Sequence, residues 1–434
     1  MVIENVSRYK SLLKKIANKS VPAVFIRDDN RNHPAESSVI AVSLFVDNEI
    51  HDVIFDHSES FSEGLDIKEL FCAKRFWVDD VKEFYHLTKN TNGYDITMSD
   101  YLNNVTHERV QKPQVFDKIY ENSFALRKSN KIVPIVKVLE YSHERLNIII
   151  DSVPEKVTKD FIKYNRGLYE FAKIENSGMK IVPNSFGTVF RNGYGYPNYN
   201  MFTATGRPSN TFRGVNFGAL NKHDNTRNNI VSRFDKGLLV EFDYDAYHLR
   251  LLANILNIDV PFDESLHQHL ADTVYNTTYE ESKKVSWQIL YGNVSVTEKE
   301  NPFFYTIEKM SGALWRIFNS NKSFKSHIYK RQFVSDQISD PNKNKVLNYF
   351  IQSYETENNI ETIKKINKYL KECNTRMMLY TYDSFLFDLD RTEGFKTVLQ
   401  IKKILEDNKY PVKVKAGLNY GSMQDITERI NEYK

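Results

Sequence analysis

Short apolar runs rich in β-branched residues occur at Val21–Arg27, Val39–Asp47 and Glu49–Phe55, and predict three strands, the last two joined by a tight Asp47-Asn48 turn. An amphipathic stretch, SRYKSLLKKI, precedes them as a helix, and helical spacing returns around Trp77–Thr88 and Thr97–Leu102. Strands mixed with helices in this order predict an α/β layer over roughly 1–130. Two helices follow, Ile132–Leu146 and Val157–Asn176, in a stretch of about 131–185. From 186 onward strands and helices alternate without a regular period. Two strands there end in acid: Gly237–Asp243 (GLLVEFD) and Arg376–Asp383 (RMMLYTYD). The second continues as SFLFDLD, which puts Tyr382-Asp383 at a hairpin tip. Between them lie long helical patterns, Glu280–Tyr291 and Lys343–Lys371, and a β segment, Tyr410–Gly417, precedes a final short helix.

Composition changes this picture little. With 434 residues, 41% hydrophobic and 26% charged, the chain is an ordinary globular protein of more than one domain, which excludes wholesale disorder. The 59 Lys and Arg against 56 Asp and Glu decide nothing about partners, because basic residues act where they gather. One such gathering is Lys156, Lys159, Lys163, Arg166, Lys173 and Lys180, a solvated helical face or a grip on phosphates. The longest apolar run, Val39–Val46, is too short for a bilayer and the start lacks a signal-peptide core, so the expectation is no membrane and a cytoplasmic location. Cys72 and Cys373 read as buried thiols of a reducing compartment. No Walker A, no Gly-x-Gly-x-x-Gly and no zinc-type Cys/His set is present.

Chemistry enters with the two acids. A carboxylate pair at the ends of apolar strands is costly unless a cation neutralises it, and Mg2+ takes one or two carboxylates with phosphate and water. Lys283, Trp287 and Tyr291 are four apart, so they form one helical stripe drifting about 40° per step: a cation, a flat ring and a phenol suited to a nucleoside triphosphate. The same stripe also reads as an amphipathic helix with a snorkelling lysine. Asn348 and Gln352 are an i, i+4 amide pair able to donate to minor-groove acceptors, or simply two exposed polar residues.

Together these segments resemble the family A DNA polymerases, the bacterial polymerase I type with its phage and mitochondrial relatives. The residues that carry the resemblance are TATGRPSN at 203–210, then LLVEFDYDAYHLRLLANIL with Asp243-Tyr244 and Leu249-Arg250, SLHQHLADTVY with His267, and KKVSWQILYG with Lys283, Trp287 and Tyr291. VLNYFIQS, TYDSFLFDL and PVKVKAGLNYGSM follow in the family's order, over about 200–422. The resemblance implies a right-hand polymerase of palm, fingers and thumb: a reduced thumb at 131–185, palm at 186–254 and 346–434, and fingers at 255–345. It also implies that Asp243, Asp383 and the Tyr244 backbone carbonyl hold two Mg2+ ions, with Mn2+ as the substitute. His248, His267, Lys283, Trp287 and Tyr291 would bind the incoming nucleotide. Arg207, Arg250, Asn348, Gln352 and Tyr382 would meet the primer-template. The implied partners are primer-template DNA, dNTPs and a replication or processivity factor, in the host cell if the chain is viral.

Departures from the family pattern are specific. His248 stands where the family has its sugar-checking glutamate, Tyr279 replaces an arginine, and Ser384 replaces the acid after Asp383. The first stretch, 1–130, resembles the family's RNase H-like 3′–5′ exonuclease domain, but Arg27 and Phe124 stand at acid positions, with Asp29 and Asp80 remaining nearby. A cation in a metal site opposes metal binding, so a degenerate exonuclease without proofreading is expected. Two other functions stay open: a catalytically silent primer-template binding protein, and a single-subunit RNA polymerase, whose motif Tyr-Asp-Ser-Phe approaches.

Overall fold

Strands form at all three early runs: Ser20–Arg27, Val39–Val46 and Glu49–Ile54 lie side by side and antiparallel. The computed structural model describes every residue except 30, 31, 61, 104–128, 184, 187–191, 293 and 434, so the position of Phe124 lies outside the described residues. Asp47 and Asn48 both take positive φ, 52° and 63°, the backbone that a two-residue hairpin needs to match the twist of its strands. Val2–Ile3 joins in parallel on one side, and Arg75–Val78 and Gly93–Asp95 join in parallel on the other, completing a mixed six-stranded sheet. The helix expected at Trp77–Thr88 is shorter, Val81–Thr88. Trp77 and Val78 close a strand, and Asp80 caps the helix by accepting from the N–H groups of Lys82 and Glu83 at 3.0 and 3.1 Å.

The chain divides into two compact units, Met1–Ala172 and Lys173–Lys434. Helix Ile135–Ser152 packs on the strands Ser20–Arg27 and Val39–Val46, and its Arg145 makes a two-pronged ion pair with Asp79 at 2.7 Å. From helix Lys159–Ser177, Asn165 and Tyr169 donate to the Gly93 carbonyl at 3.0 and 2.7 Å. These buried polar contacts keep the chain on the first sheet as far as Ala172.

In the second unit five strands form one antiparallel sheet in the order Arg376–Thr381, Ser384–Leu389, Leu238–Tyr244, Val412–Gly417, Gln424–Asp425. Alternation along the central strand Leu238–Tyr244 sorts its side chains. Val240, Phe242 and Tyr244 face one way with Phe385, Phe387, Val412 and Val414, all buried. Leu239, Glu241 and Asp243 face the other, where an apolar cluster of Leu239, Leu386, Met179, Ile181 and Phe217 gives way to acid at the strand's end. Helices Tyr247–Leu256, Tyr279–Tyr291 and Pro302–Asn321 share a further core with Leu347 and Ile351 of the long helix Lys343–Tyr369. Both cysteines are free, but Cys72 is exposed and Cys373 half-buried, which corrects the expectation of two buried thiols. No helix among the described residues is long and apolar enough to cross a membrane.

Candidate active site

The two acids meet because their strands are neighbours. Asp243 pairs with Ser384 across the antiparallel ladder, and the Tyr244 N–H donates to the Asp383 carbonyl at 2.9 Å. Tyr382 and Asp383 form the two-residue connection between the strands. Tyr382 is held in the left-handed region at φ 68°, a conformation that costs a non-glycine residue on the order of 1 kcal/mol. Two contacts fix it there: Asn359 Nδ2 donates to its carbonyl at 2.7 Å, and the Arg207 guanidinium lies 3.7 Å from its ring centroid.

Asp243 is half-buried and Asp383 is exposed. Burial, then the charges of Asp383 and Glu241, push the Asp243 carboxyl up to about 7, with Lys415 and Lys222 opposing. Burial and Glu355 likewise raise Asp383, against Arg207 and His248. Glu241, 8% exposed, accepts from the Ser384 and Tyr420 hydroxyls at 3.0 and 3.1 Å. Crowded carboxylates with raised affinity for protons form a donor set that suits a divalent cation.

Beside the acids, a second cluster gathers on the long helix. Glu355, 1% exposed, receives Arg207 side-on, Nε at 3.0 Å and Nη2 at 3.4 Å, and faces His248 Nε2 at 3.4 Å. The other ring nitrogen of His248 bonds the Tyr291 hydroxyl. Although burial opposes its charge, His248 and Arg207 hold the Glu355 carboxyl below the usual range. Burial raises the Tyr291 phenol. Arg207 reaches this place from a turn in which Gly206 takes φ 80° and Thr203 Oγ1 donates to the Arg207 carbonyl at 2.9 Å.

The stripe Lys283, Trp287, Tyr291 forms as expected on helix Tyr279–Tyr291. Lys283 is exposed, Trp287 is 63% exposed, and Tyr291 turns inward with its ring 4.6 Å from the Trp287 ring. His267 is 7% exposed, its ring edge-on to Tyr279, and burial lowers its pKa. Asn348 and Gln352 bond each other at 3.0 Å, and Gln352 accepts from Thr205 at 3.0 Å. Arg250 is 2% exposed, and its fork donates to Asp245 Oδ2 and the carbonyls of Asp245, Pro261 and Glu264 at 2.7–3.0 Å, so it ties these elements together.

Comparison with known proteins adds the fold. No family model and no curated protein matches the sequence. Among solved structures the chain is similar to the POL domain of Pol1 from M. smegmatis, in complex with DNA primer-template and dNTP. The TM-score is 0.70 at 12% identity, over 97% of this chain and 99% of that one. The chain has the fold of a DNA polymerase domain. At that identity the likeness concerns the backbone; what the polymerase fold does here is a matter for its side chains.

Sequence reasoning missed Glu355, Asn359 and Glu241. The first two continue the Asn348–Gln352 stripe at i+7 and i+11, a helical spacing that was available to read. Glu241 lies two residues before Asp243, on the same strand face.

Proposed function

We propose that this protein is a template-directed DNA polymerase that adds deoxynucleotides to a primer 3′ end with two divalent cations, Mg2+ or its substitute Mn2+. The observation that carries the reading is the meeting of Asp243 and Asp383 on paired strands, beside the His248–Tyr291 contact, in a polymerase fold. Asp243, Asp383 and the Tyr244 carbonyl would hold the ions. When bound, such ions supply the Lewis acidity that lowers a hydroxyl's pKa and neutralises a leaving pyrophosphate.

The chain's own residues do the rest. Lys283, exposed on its helix, offers charge to a triphosphate, and the open face of Trp287 offers a stacking surface to base or sugar. His248 and Tyr291 wall the sugar side and crowd a 2′-hydroxyl. Arg207 and Tyr382 shape the primer side, and Asn348 with Gln352 lies where the terminal base pair would be felt. The expected palm, fingers and thumb divisions belong to this same reading.

In the first unit, Arg27 Nε pairs with Glu83 at 3.2 Å and Arg145 with Asp79 at 2.7 Å. Carboxylates neutralised by guanidinium groups are poor metal ligands, which supports a scaffold without proofreading.

Primer extension with Mg2+ and four dNTPs tests the reading. Wild type extends, and Asp243→Ala or Asp383→Ala loses at least about a hundredfold, since removing a ligand should exceed the 10–100-fold cost of losing an outer partner. Silence of all three proteins defeats it in favour of a binding protein; preferential use of ribonucleotides defeats it in favour of RNA synthesis.

A further inference from the structure

We infer that Glu355 is a positioning residue that locks His248 and Arg207 to one carboxylate, so that the wall excluding a ribose 2′-hydroxyl is a rigid one. The inference deepens the polymerase reading and rests on it.

The starting observation is a buried anion shared by two functional side chains. Glu355 comes from the long helix, Arg207 from the turn after Thr203, and His248 from the helix after the central strand. One oxygen, Oε2, lies 3.0 Å from Arg207 Nε as an ion pair; the other, Oε1, lies 3.4 Å from both Arg207 Nη2 and His248 Nε2. An ionised carboxylate can only accept, so the His248 nitrogen facing it carries the proton. In the neutral ring Nδ1 is then the acceptor for the Tyr291 O–H, and its hydrogen-bonding capacity is used up.

A ring bonded to Tyr291 at Nδ1 and held against the Glu355 carboxylate at Nε2 has little freedom to swing on χ1 and χ2 and admit an extra hydroxyl. Without Glu355 only the Tyr291 contact would remain, and rotamer freedom would return to the wall. The same carboxylate holds Arg207 flat over the Tyr382 ring, next to Asp383. Sugar wall and primer-side contact therefore share one anchor. The sugar would be selected by rigidity as well as by bulk, which explains how an imidazole serves in a place where a longer side chain would reach further.

The test uses the full chain and single-nucleotide extension of a primer-template. Glu355→Gln keeps the shape but removes the negative charge that faces both Arg207 and the His248 N–H. The discrimination ratio, kcat/KM for dNTP over rNTP, should fall roughly tenfold or more, since small misplacements at a site cost up to about a hundredfold. The fall should come through a lower KM for the ribonucleotide, with kcat for dNTP changed less. His248→Ala should give a comparable loss, and the double variant no further loss. An unchanged ratio in a folded Glu355→Gln protein, or losses that multiply in the double variant, overturns the inference while leaving polymerase activity standing.

A second measurement needs no Glu355 variant. Nitrogen-15 NMR of wild type, with His248→Gln to assign the signal, should show His248 protonated on Nε2. A bare Nε2 overturns the inference even if every Glu355 substitution unfolds the chain. Failure of wild type to extend any primer defeats the polymerase reading instead, a separate outcome.

Discussion

Asp243 concentrates the energetics of the site in one side chain. Its pKa of about 7 is raised above the ordinary 3.8, so the folded state binds more protons than the unfolded state between those values. Stability from this group is present at acid pH and is lost as pH rises through 7. Without divalent cation, the melting temperature should therefore fall from pH 5 to pH 8, and Asp243→Asn should flatten that slope; an equal slope in the variant would contradict the assignment. The converse holds for ions that compete with protons: Mg2+ or Mn2+ affinity should weaken below pH 7, measured by calorimetry. Glu241 contributes to the shift, so Glu241→Gln should move the Asp243 midpoint to lower pH, read by NMR titration.

At the scale of elements, the hairpin Arg376–Leu389 and the helix Lys343–Tyr369 work as a pair. The hairpin tip carries Asp383 but holds Tyr382 in an unfavourable backbone conformation. The helix supplies the restraint, because Asn359 donates to both the Tyr382 carbonyl and the Tyr380 hydroxyl at 2.7 and 2.9 Å and accepts from Tyr247 at 2.7 Å. Asn359→Ala removes three hydrogen bonds to buried groups and should destabilise the chain by about 1–3 kcal/mol in denaturant unfolding. Primer extension should fall with it, since Asp383 loses its fixed tip. The hairpin was legible in the sequence, as two apolar runs meeting at Tyr382-Asp383. Its restraint was not, because Asn359 is 23 residues away and looks locally like an unexceptional helix residue.

At the scale of the whole molecule, the buried acids of the first unit and the Asp243–Asp383 pair of the second are treated differently. The first unit neutralises them internally: Arg145 with Asp79 and Glu83, and Arg27 with Glu83. Arg145→Ala removes the two-pronged cationic partner of the buried Asp79 and should cost about 3–5 kcal/mol of stability, measured by thermal or denaturant unfolding. The same neutralisation predicts that a primer with a mispaired 3′ end will not be shortened, however long it is incubated with Mg2+; stepwise trimming would contradict it. In the second unit Asp243, Asp383 and Glu241 stand close together and their repulsion persists as a raised pKa. Sequence showed that Asp243 and Asp383 lie at strand ends in the second unit. It did not show that Arg250 is spent inside on Asp245, or that the helices through Ala172 pack with the first sheet, since both follow from what is brought beside them.

Local pattern alone settled the three early strands and the two that end in acid, the Asp47-Asn48 and Tyr382-Asp383 turns, the amphipathic stripe of Lys283, Trp287 and Tyr291, and the order of the acids along the chain. These are properties of neighbouring residues, governed by side-chain period and turn backbone. Tertiary structure alone decided which polar groups converge. Glu355 and Arg207 are 148 residues apart, and nothing in either segment announces the other. Their pairing exists because a buried carboxylate must find compensating charge, and only packing of the long helix against the turn after Thr203 brings that charge within reach.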